Sequence, residues 1–200
     1  MKVIGLCGGS GSGKGTASLL FAEHGFIAID TDKVYHALTT TSTDCLRELV
    51  DEFGEGILNE SGTLDRRKLA AIVFSDGADK QKHAVLNRIA HTHVLRRVRE
   101  LISEYEKEGY AAVLVDAPML FESGFDKECD AIIAVVADKD ARVERIVSRD
   151  SISRQAALAR IAAQLSDEYL IAHSDYTIYN DDISMLPDRV SSVAEKILKL

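Results

Sequence analysis

Gly8-Gly9-Ser10-Gly11-Ser12-Gly13-Lys14-Gly15-Thr16 places five glycines in nine positions, with a lysine near the end. Glycines in such a run let backbone N–H groups turn inward around phosphate oxygens, where side chains would obstruct them. Lys14 sets a compact cation beside the outer phosphates of a nucleoside triphosphate. The context agrees. The apolar run Val3–Cys7 reads as a strand leading in, and a helix-compatible stretch with Leu19, Leu20 and Phe21 leads out towards Gly25. A loop between a strand and a helix adds the positive end of the helix dipole to the same site. Gly9, Ser10, Gly11, Ser12, Gly13, Lys14, Gly15 and Thr16 are therefore the candidate nucleotide-binding residues. A glycine-rich connection without a ligand is the competing reading, and the placement of Gly13-Lys14 disfavours it.

One position departs from the P-loop pattern. Gly15 stands where Ser or Thr serves as a direct magnesium ligand. Gly-Lys-Gly-Thr also occurs in adenylate kinases, so nucleotide binding is still expected. Mg²⁺ is then expected to be held more through water, with Thr16 or Asp116 as the protein candidates.

Working outward, Phe26–Ile29 reads as a second buried strand ending in Asp30, and Ala111–Val115 and Ala131–Ala137 as two more. Tyr176–Ile178 is a short fifth candidate. Strands that are continuously apolar and alternate with helices predict an α/β fold, a parallel sheet covered on both faces. Pro187 starts a terminal helix whose Val190, Val193, Ala194, Ile197 and Leu198 share one face. About eighty residues separate the second and third strands, too many for a simple crossover. Within them Asp79–Glu108 reads as one long helix ended by Gly109, with Val94, Val98, Leu101, Ile102 and Tyr105 at helical spacing. An inserted helical lobe of about 56–108 follows, in a core of about 1–55 and 109–200.

Ligands of open parallel sheets collect beyond the carboxyl ends of the strands. Asp30 and Asp32 follow the second strand and Asp116 follows the third. Asp32 suits a hydroxyl proton acceptor, and Asp116 a water-mediated magnesium ligand. Capping of the next helix is an equal reading for Asp30. Arg145 and Arg149, four apart, share a helical face in a candidate lid of about 140–165. Lid arginines neutralise charge on a transferring phosphoryl group, and an ordinary solvated face paired with Glu144 and Asp150 is the alternative. Lys80 to Arg99 holds six basic residues and three histidines, with no acid. That stretch is either a clamp for an anionic second substrate or a solvated basic face. His91 and His93 are two apart, a poor metal pair on a helix.

The net charge of −8 argues against nucleic acid as a partner, while leaving room for a compact basic pocket. Cys7, Cys45 and Cys129 are odd in number and lack metal spacing, which favours reduced thiols. No apolar run approaches the roughly 20 residues of a membrane span, and Gly8–Gly13 interrupts the N-terminal apolar stretch before it resembles a secretory signal. A cytoplasmic location without membrane attachment is expected. Composition says nothing of the oligomeric state.

Taken together, these motifs resemble the dephospho-CoA kinase family. Gly5 to Thr16 is similar to the family's Gly-Leu-Thr-Gly-Gly-Ile-Gly-Ser-Gly-Lys-Ser-Thr, and Ile29 to Asp32 to its Asp-Ala-Asp segment. Gly62 to Arg67 resembles its Gly-x-Leu-Asp-Arg. Asp116-Ala117-Pro118-Met119-Leu120-Phe121-Glu122 resembles Asp-Val-Pro-Leu-Leu-Phe-Glu. Arg149-Asp150, Arg154 and Ala162 to Gln164 fit the lid, and Asp175 and Asn180-Asp181 the ending. His91-Thr92 replaces the family's His-Pro, so the long helix is expected to run straight, and Tyr179 replaces an Asp. The resemblance implies a P-loop kinase fold with a five-stranded parallel sheet flanked by helices, an inserted acceptor-binding lobe and a lid. It implies ATP, with Mg²⁺, and dephospho-CoA as small-molecule substrates, and transfer of the γ-phosphoryl to a ribose 3′-hydroxyl. Asp32 is then the base, and Lys14 and Arg149 the stabilising cations. Arg145 and Asn180 fall on the nucleotide, and Leu64, Arg66, His91, Asp116 and Glu122 on the acceptor. A nucleoside monophosphate kinase and a non-catalytic nucleotide switch are the rival readings. Asp116-Ala117-Pro118-Met119 differs from the Asp-Gly-Phe-Pro-Arg of adenylate kinases, and the Asn/Thr-Lys-x-Asp of GTPases does not occur.

Overall fold

A computed structural model of the chain describes residues 1–40, 43–74 and 80–199. Five strands form one sheet, β1 (Lys2–Cys7), β2 (Phe26–Asp30), β3 (Ala112–Asp116), β4 (Ala131–Val136) and β5 (Tyr176–Tyr179). Their order is β2-β3-β1-β4-β5, every neighbouring pair parallel. All residues of β3 and β4 are buried, which is why those runs carry no polar side chain before the terminal Asp116. All five strands expected from apolar runs are present.

Nine helices are described: α1 (Lys14–Glu23), α2 (Thr31–Thr40), α3 (Asp44–Phe53), α4 (Arg66–Val73), α5 (Lys80–Lys107), α6 (Lys139–Asp150), α7 (Arg154–Ala162), α8 (Asp167–Ala172) and α9 (Leu186–Lys199). Short polar residues start several of them. Thr43 accepts from Leu46 N, Asp65 from Arg67 N, Asp138 from Asp140 N, Ser153 from Ala156 N and Ser166 from Tyr169 N. The helix expected over Asp79–Glu108 is present as α5 without interruption at Thr92, and Asp79 lies outside the described residues.

The chain divides into two compact units, Met1–Asp30 with Ile102–Leu200, and Thr31–Leu101. In the first, α1 and α9 close one face of the sheet over Ile4, Leu6, Phe21, Leu114, Ile133 and Ile197. Each such side chain contributes about 1.5–3 kcal/mol on burial, more than the roughly 0.5–1 kcal/mol of rotamer freedom an Ile or Leu loses. In the second, α2 to α5 gather on Cys45, Leu49, Ile57, Leu69, Val73 and Ile89. The lobe expected at about 56–108 and this unit overlap over 56–101. The helices α2 and α3 join the unit through Tyr35, Leu38, Cys45 and Leu49.

Candidate active site

The glycine-rich loop joins β1, the middle strand, to α1. It therefore lies at the carboxyl end of the sheet, where β3 and β4 flank β1. Gly13 takes the N-cap position of α1 with φ 93°, a left-handed conformation that a side chain resists. A Cβ there would also collide with the Asn180 amide. Asn180 Nδ2 donates to Ser12 O at 2.7 Å, and both residues are fully buried. Ser12 Oγ and Asn180 Oδ1 are buried without a hydrogen-bond partner among the described residues. Thr16 and Gly15 lie in the first turn of α1, and a Cβ on Gly15 would meet open space. Cys7 ends β1 directly before the loop. Burial pushes its thiol up to about 11, so it is no thiolate nucleophile at neutral pH.

Two arginines of α6 reach the loop from outside. Arg142, almost fully buried, donates through Nε to Ser10 O at 2.9 Å and through Nη1 to both carboxylate oxygens of Asp167 at 2.8 and 3.0 Å. Arg145 donates to Gly11 O at 3.2 Å and to Asn180 O at 2.8 Å. Gln164 accepts from Ser10 N at 2.9 Å, so that amide points away from the inner side of the loop. Gly9 is glycine for a steric reason, since a Cβ there would run into the Arg142 guanidinium.

At the strand ends, Asp116 is paired with Lys14, and both side chains are mostly buried. Asp116 lies level with Leu6 of β1 and Asp30 of β2. The lysine of the loop and the acid of β3 thus occupy one place, as expected of strand-end acids. Glu122 follows in the turn that leaves β3. Arg149 sits in the last turn of α6 and donates to both oxygens of Asp150, at 2.8 and 3.0 Å, from a largely exposed position. Arg160 of α7 holds the same carboxylate, and these two cations keep the Asp150 carboxyl well below the usual carboxylate range. The hydrogen bond to Asp150 raises Arg149 in turn. Arg145 and Arg149, expected on one face, differ in partner. Arg145 is on loop carbonyls and Arg149 is on a side chain.

In the second unit, Asp32 lies two residues beyond β2, in the first turn of α2, where the helix dipole favours a carboxylate. Arg66 opens α4 and approaches the Tyr35 ring at 5.9 Å and His36 Nδ1 at 3.3 Å. Leu64 precedes it, bridged to Leu58 and packed on the unit's apolar cluster. His91 lies half-buried on α5. The neighbouring His93 is buried, with Nε2 2.7 Å from Glu48 and Nδ1 3.2 Å from Arg96. Arg88 donates to Glu48 and Arg96 approaches Asp44 at 3.8 Å. Part of the basic stretch of α5 is therefore turned to the acids of α3. No cluster of three or more His, Cys, Asp or Glu side chains among the described residues can hold a metal ion.

The sequence places Arg142 among the arginines of the candidate lid and Gln164 in the lid by resemblance, yet it points to no role at the loop for either, and it gives no sign of Asp167. Arg142 stands three residues from Arg145 and shares its face, which is the one local signal. Its burial depends on Asp167, distant in sequence, and periodicity does not register that.

The comparisons with known proteins agree with this geometry. The family model for dephospho-CoA kinase matches residues 2–185. The chain belongs to the dephospho-CoA kinase family. A dephospho-CoA kinase of Fusobacterium nucleatum is 40% identical over 181 residues, 90% of this chain and 90% of the relative. One of Carboxydothermus hydrogenoformans is 35% identical over the whole chain and 93% of its own length. Among solved structures, TT1252 from Thermus thermophilus superposes with a TM-score of 0.83 at 29% identity, over 98% of this chain and 97% of that one. Dephospho-CoA kinase from Campylobacter jejuni gives 0.73 at 26% identity, over 100% and 98%. A shikimate kinase of Acinetobacter baumannii, at 17% identity and a TM-score of 0.57, shares the fold alone. Membership of a kinase family implies a nucleotide substrate. No helix among the described residues is long and apolar enough to cross a membrane.

Proposed function

We propose that this chain transfers the γ-phosphoryl group of ATP to the ribose 3′-hydroxyl of dephospho-CoA, giving coenzyme A and ADP. The observation that carries the reading is the Lys14–Asp116 pair at the foot of the glycine loop, in a member of this family. The acceptor oxygen bonds to the γ-phosphorus as the bond to the β,γ-bridging oxygen breaks, the hydroxyl proton passes to Asp32, and ADP leaves. Catalysis of this kind is positioning and charge stabilisation. The loop from Gly9 to Thr16, with Arg145 and Asn180 behind it, is assigned to ATP. Lys14 and Arg149 counter the charge on the transferring group. On the acceptor side Asp32, Leu64, Arg66, His91, Asp116 and Glu122 orient dephospho-CoA, and 140–165 serves as the lid.

Mg²⁺ accepts one or two carboxylates beside substrate phosphates and several waters. Asp116 supplies a mostly buried carboxylate next to Lys14, so the residues fit an ion held by Asp116 or Thr16 through water. Bound there, the ion neutralises charge on the phosphates. A nucleotide complex with a protein hydroxyl directly on the metal would overturn the water-mediated arrangement. The three free cysteines suit a reducing compartment, which supports the reading of a cytoplasmic enzyme acting on small molecules.

A coupled ADP-release assay with dephospho-CoA, AMP or no acceptor tests the reading. Release dependent on dephospho-CoA is expected. Release only with AMP would reassign the chain to nucleoside monophosphates, as Gly-Lys-Gly-Thr superficially suggests. No acceptor-dependent release would leave a nucleotide-binding switch.

A further inference from the structure

Three consecutive carbonyls of the phosphate loop are each held from outside by a different donor. Ser10 O accepts from Arg142 Nε at 2.9 Å, Gly11 O from Arg145 Nη1 at 3.2 Å, and Ser12 O from Asn180 Nδ2 at 2.7 Å. The loop contains no cis peptide, and in a trans peptide the carbonyl of one residue and the N–H of the next point in opposite directions. Drawing these three carbonyls outward turns the amides of Gly11, Ser12 and Gly13 the other way. Ser12 N closes the loop on Gly9 O at 3.1 Å, so the amides of Gly11 and Gly13 are the pair this clamp aims inward.

Arg142 is the member with no evident reason to be an arginine other than this. A buried guanidinium is costly unless every side of it is paired. Here Asp167 takes Nη1 on both oxygens, Gln164 Oε1 lies 3.4 Å from Nη2, and Nε is left for the loop. Gln164 in turn meets Ser10 N at 2.9 Å and Ser10 Oγ at 3.3 Å. Ser10 is thus gripped at its N–H, its carbonyl and its hydroxyl. Because Asp167 balances the charge, the pair adds little net field at the phosphates. Its contribution is geometric.

We infer that Arg142, anchored by Asp167 and assisted by Gln164, is a positioning residue that sets the peptide planes of the loop for the phosphates of ATP. It touches no substrate itself. The inference rests on the loop being a nucleotide site, and not on the identity of the acceptor.

The test measures ADP binding by titration calorimetry on the full chain, together with steady-state kinetics, in Arg142→Lys, Asp167→Asn and Asp167→Glu. Lysine keeps the charge, yet a point cation cannot hold Ser10 O and Asp167 in the guanidinium's fork. Arg142→Lys and Asp167→Asn are each expected to weaken ADP about tenfold, the scale of one misplaced charge-assisted hydrogen bond, with acceptor KM within about twofold of the parent. Asp167→Glu is expected to restore most of the affinity, which a merely destabilising substitution would not predict. Folded Arg142→Lys and Asp167→Asn proteins that bind ADP like the parent would overturn the inference. If Arg142→Lys does not fold, Gln164→Ala decides. A loss of about threefold supports the clamp, and parental affinity removes it. Calorimetry with ADP keeps this outcome separate from the acceptor, since a chain inactive on dephospho-CoA still reports its loop geometry.

Discussion

The helices α6 and α5 both carry closely spaced arginines, yet their guanidinium groups do different things. On α6, Arg142 and Arg145 bind peptide carbonyls of Ser10 and Gly11. On α5, Arg88 and Arg96 meet the carboxylates of Glu48 and Asp44 on α3, with His93 between them. A guanidinium on a carbonyl fixes a backbone orientation, whereas one on a carboxylate fixes how two helices lie together. Changes around the loop should therefore appear in nucleotide kinetics, and changes between α3 and α5 in stability. The local reversal of charge along α5 is partly answered inside its own unit, by Glu48 and Asp44.

That contrast can be broken by experiment. The largest effect is expected for Asp32→Asn, a loss of about 10²–10⁴ in kcat with ATP binding retained, read in the ADP-release assay. Near-normal turnover would remove Asp32 as the base. Lys14→Ala should lower kcat by about 10²–10³, because it deletes a preorganised cation beside the Asp116 carboxylate. Arg149→Ala should cost roughly tenfold in kcat, while Arg160→Ala, which removes only the second cation on Asp150, should stay within about twofold. Equal losses in the two would show that Asp150, and not the phosphoryl group, is what Arg149 serves.

The smallest effect lies between α3 and α5. The hydrogen bond from His93 holds the Glu48 carboxyl below its ordinary value. A depressed carboxyl contributes stability that is present above its unfolded pKa, about 4.3, and is lost as pH falls through the folded value. Glu48→Gln should remove that acid limb and, because the carboxylate is partly solvent-screened, lower the melting temperature at pH 7 by only about 1–2 °C, with KM for ATP unchanged. A change in ATP kinetics with no change in melting would reverse the division between the two regions.

Much of this is legible in the sequence. Strands β3 and β4 announce themselves because a strand buried on both faces must be apolar at every position. The loop does so because a phosphate cradle needs glycine and lysine at set spacing. The helix α5 follows from its period and from Gly109. Less legible were α3, α4, α7 and α8. They are six to ten residues long, and α4, α7 and α8 give few apolar repeats, whereas α3 carries Cys45, Leu46, Leu49, Val50 and Phe53 at helical spacing; Thr43, Asp65, Ser153 and Ser166 each cap one of the four. At the site, Lys14 is visible from its place in the glycine-rich motif and Asp116 from its place at a strand end. Arg142 is not, because an arginine on an amphipathic helix looks solvated until the partner that buries it is known.

By itself, then, the sequence determined the element types, the phosphate loop and the family. These depend on local residue chemistry and short spacings. Only the tertiary structure decided the strand order, which sets β1 between β3 and β4 and so brings Asp116 to Lys14. It alone also decided that Arg142 meets Asp167 and Ser10 in the interior. Those pairings join residues distant along the chain, and the burial that makes them strong exists only once the sheet and α6 have packed.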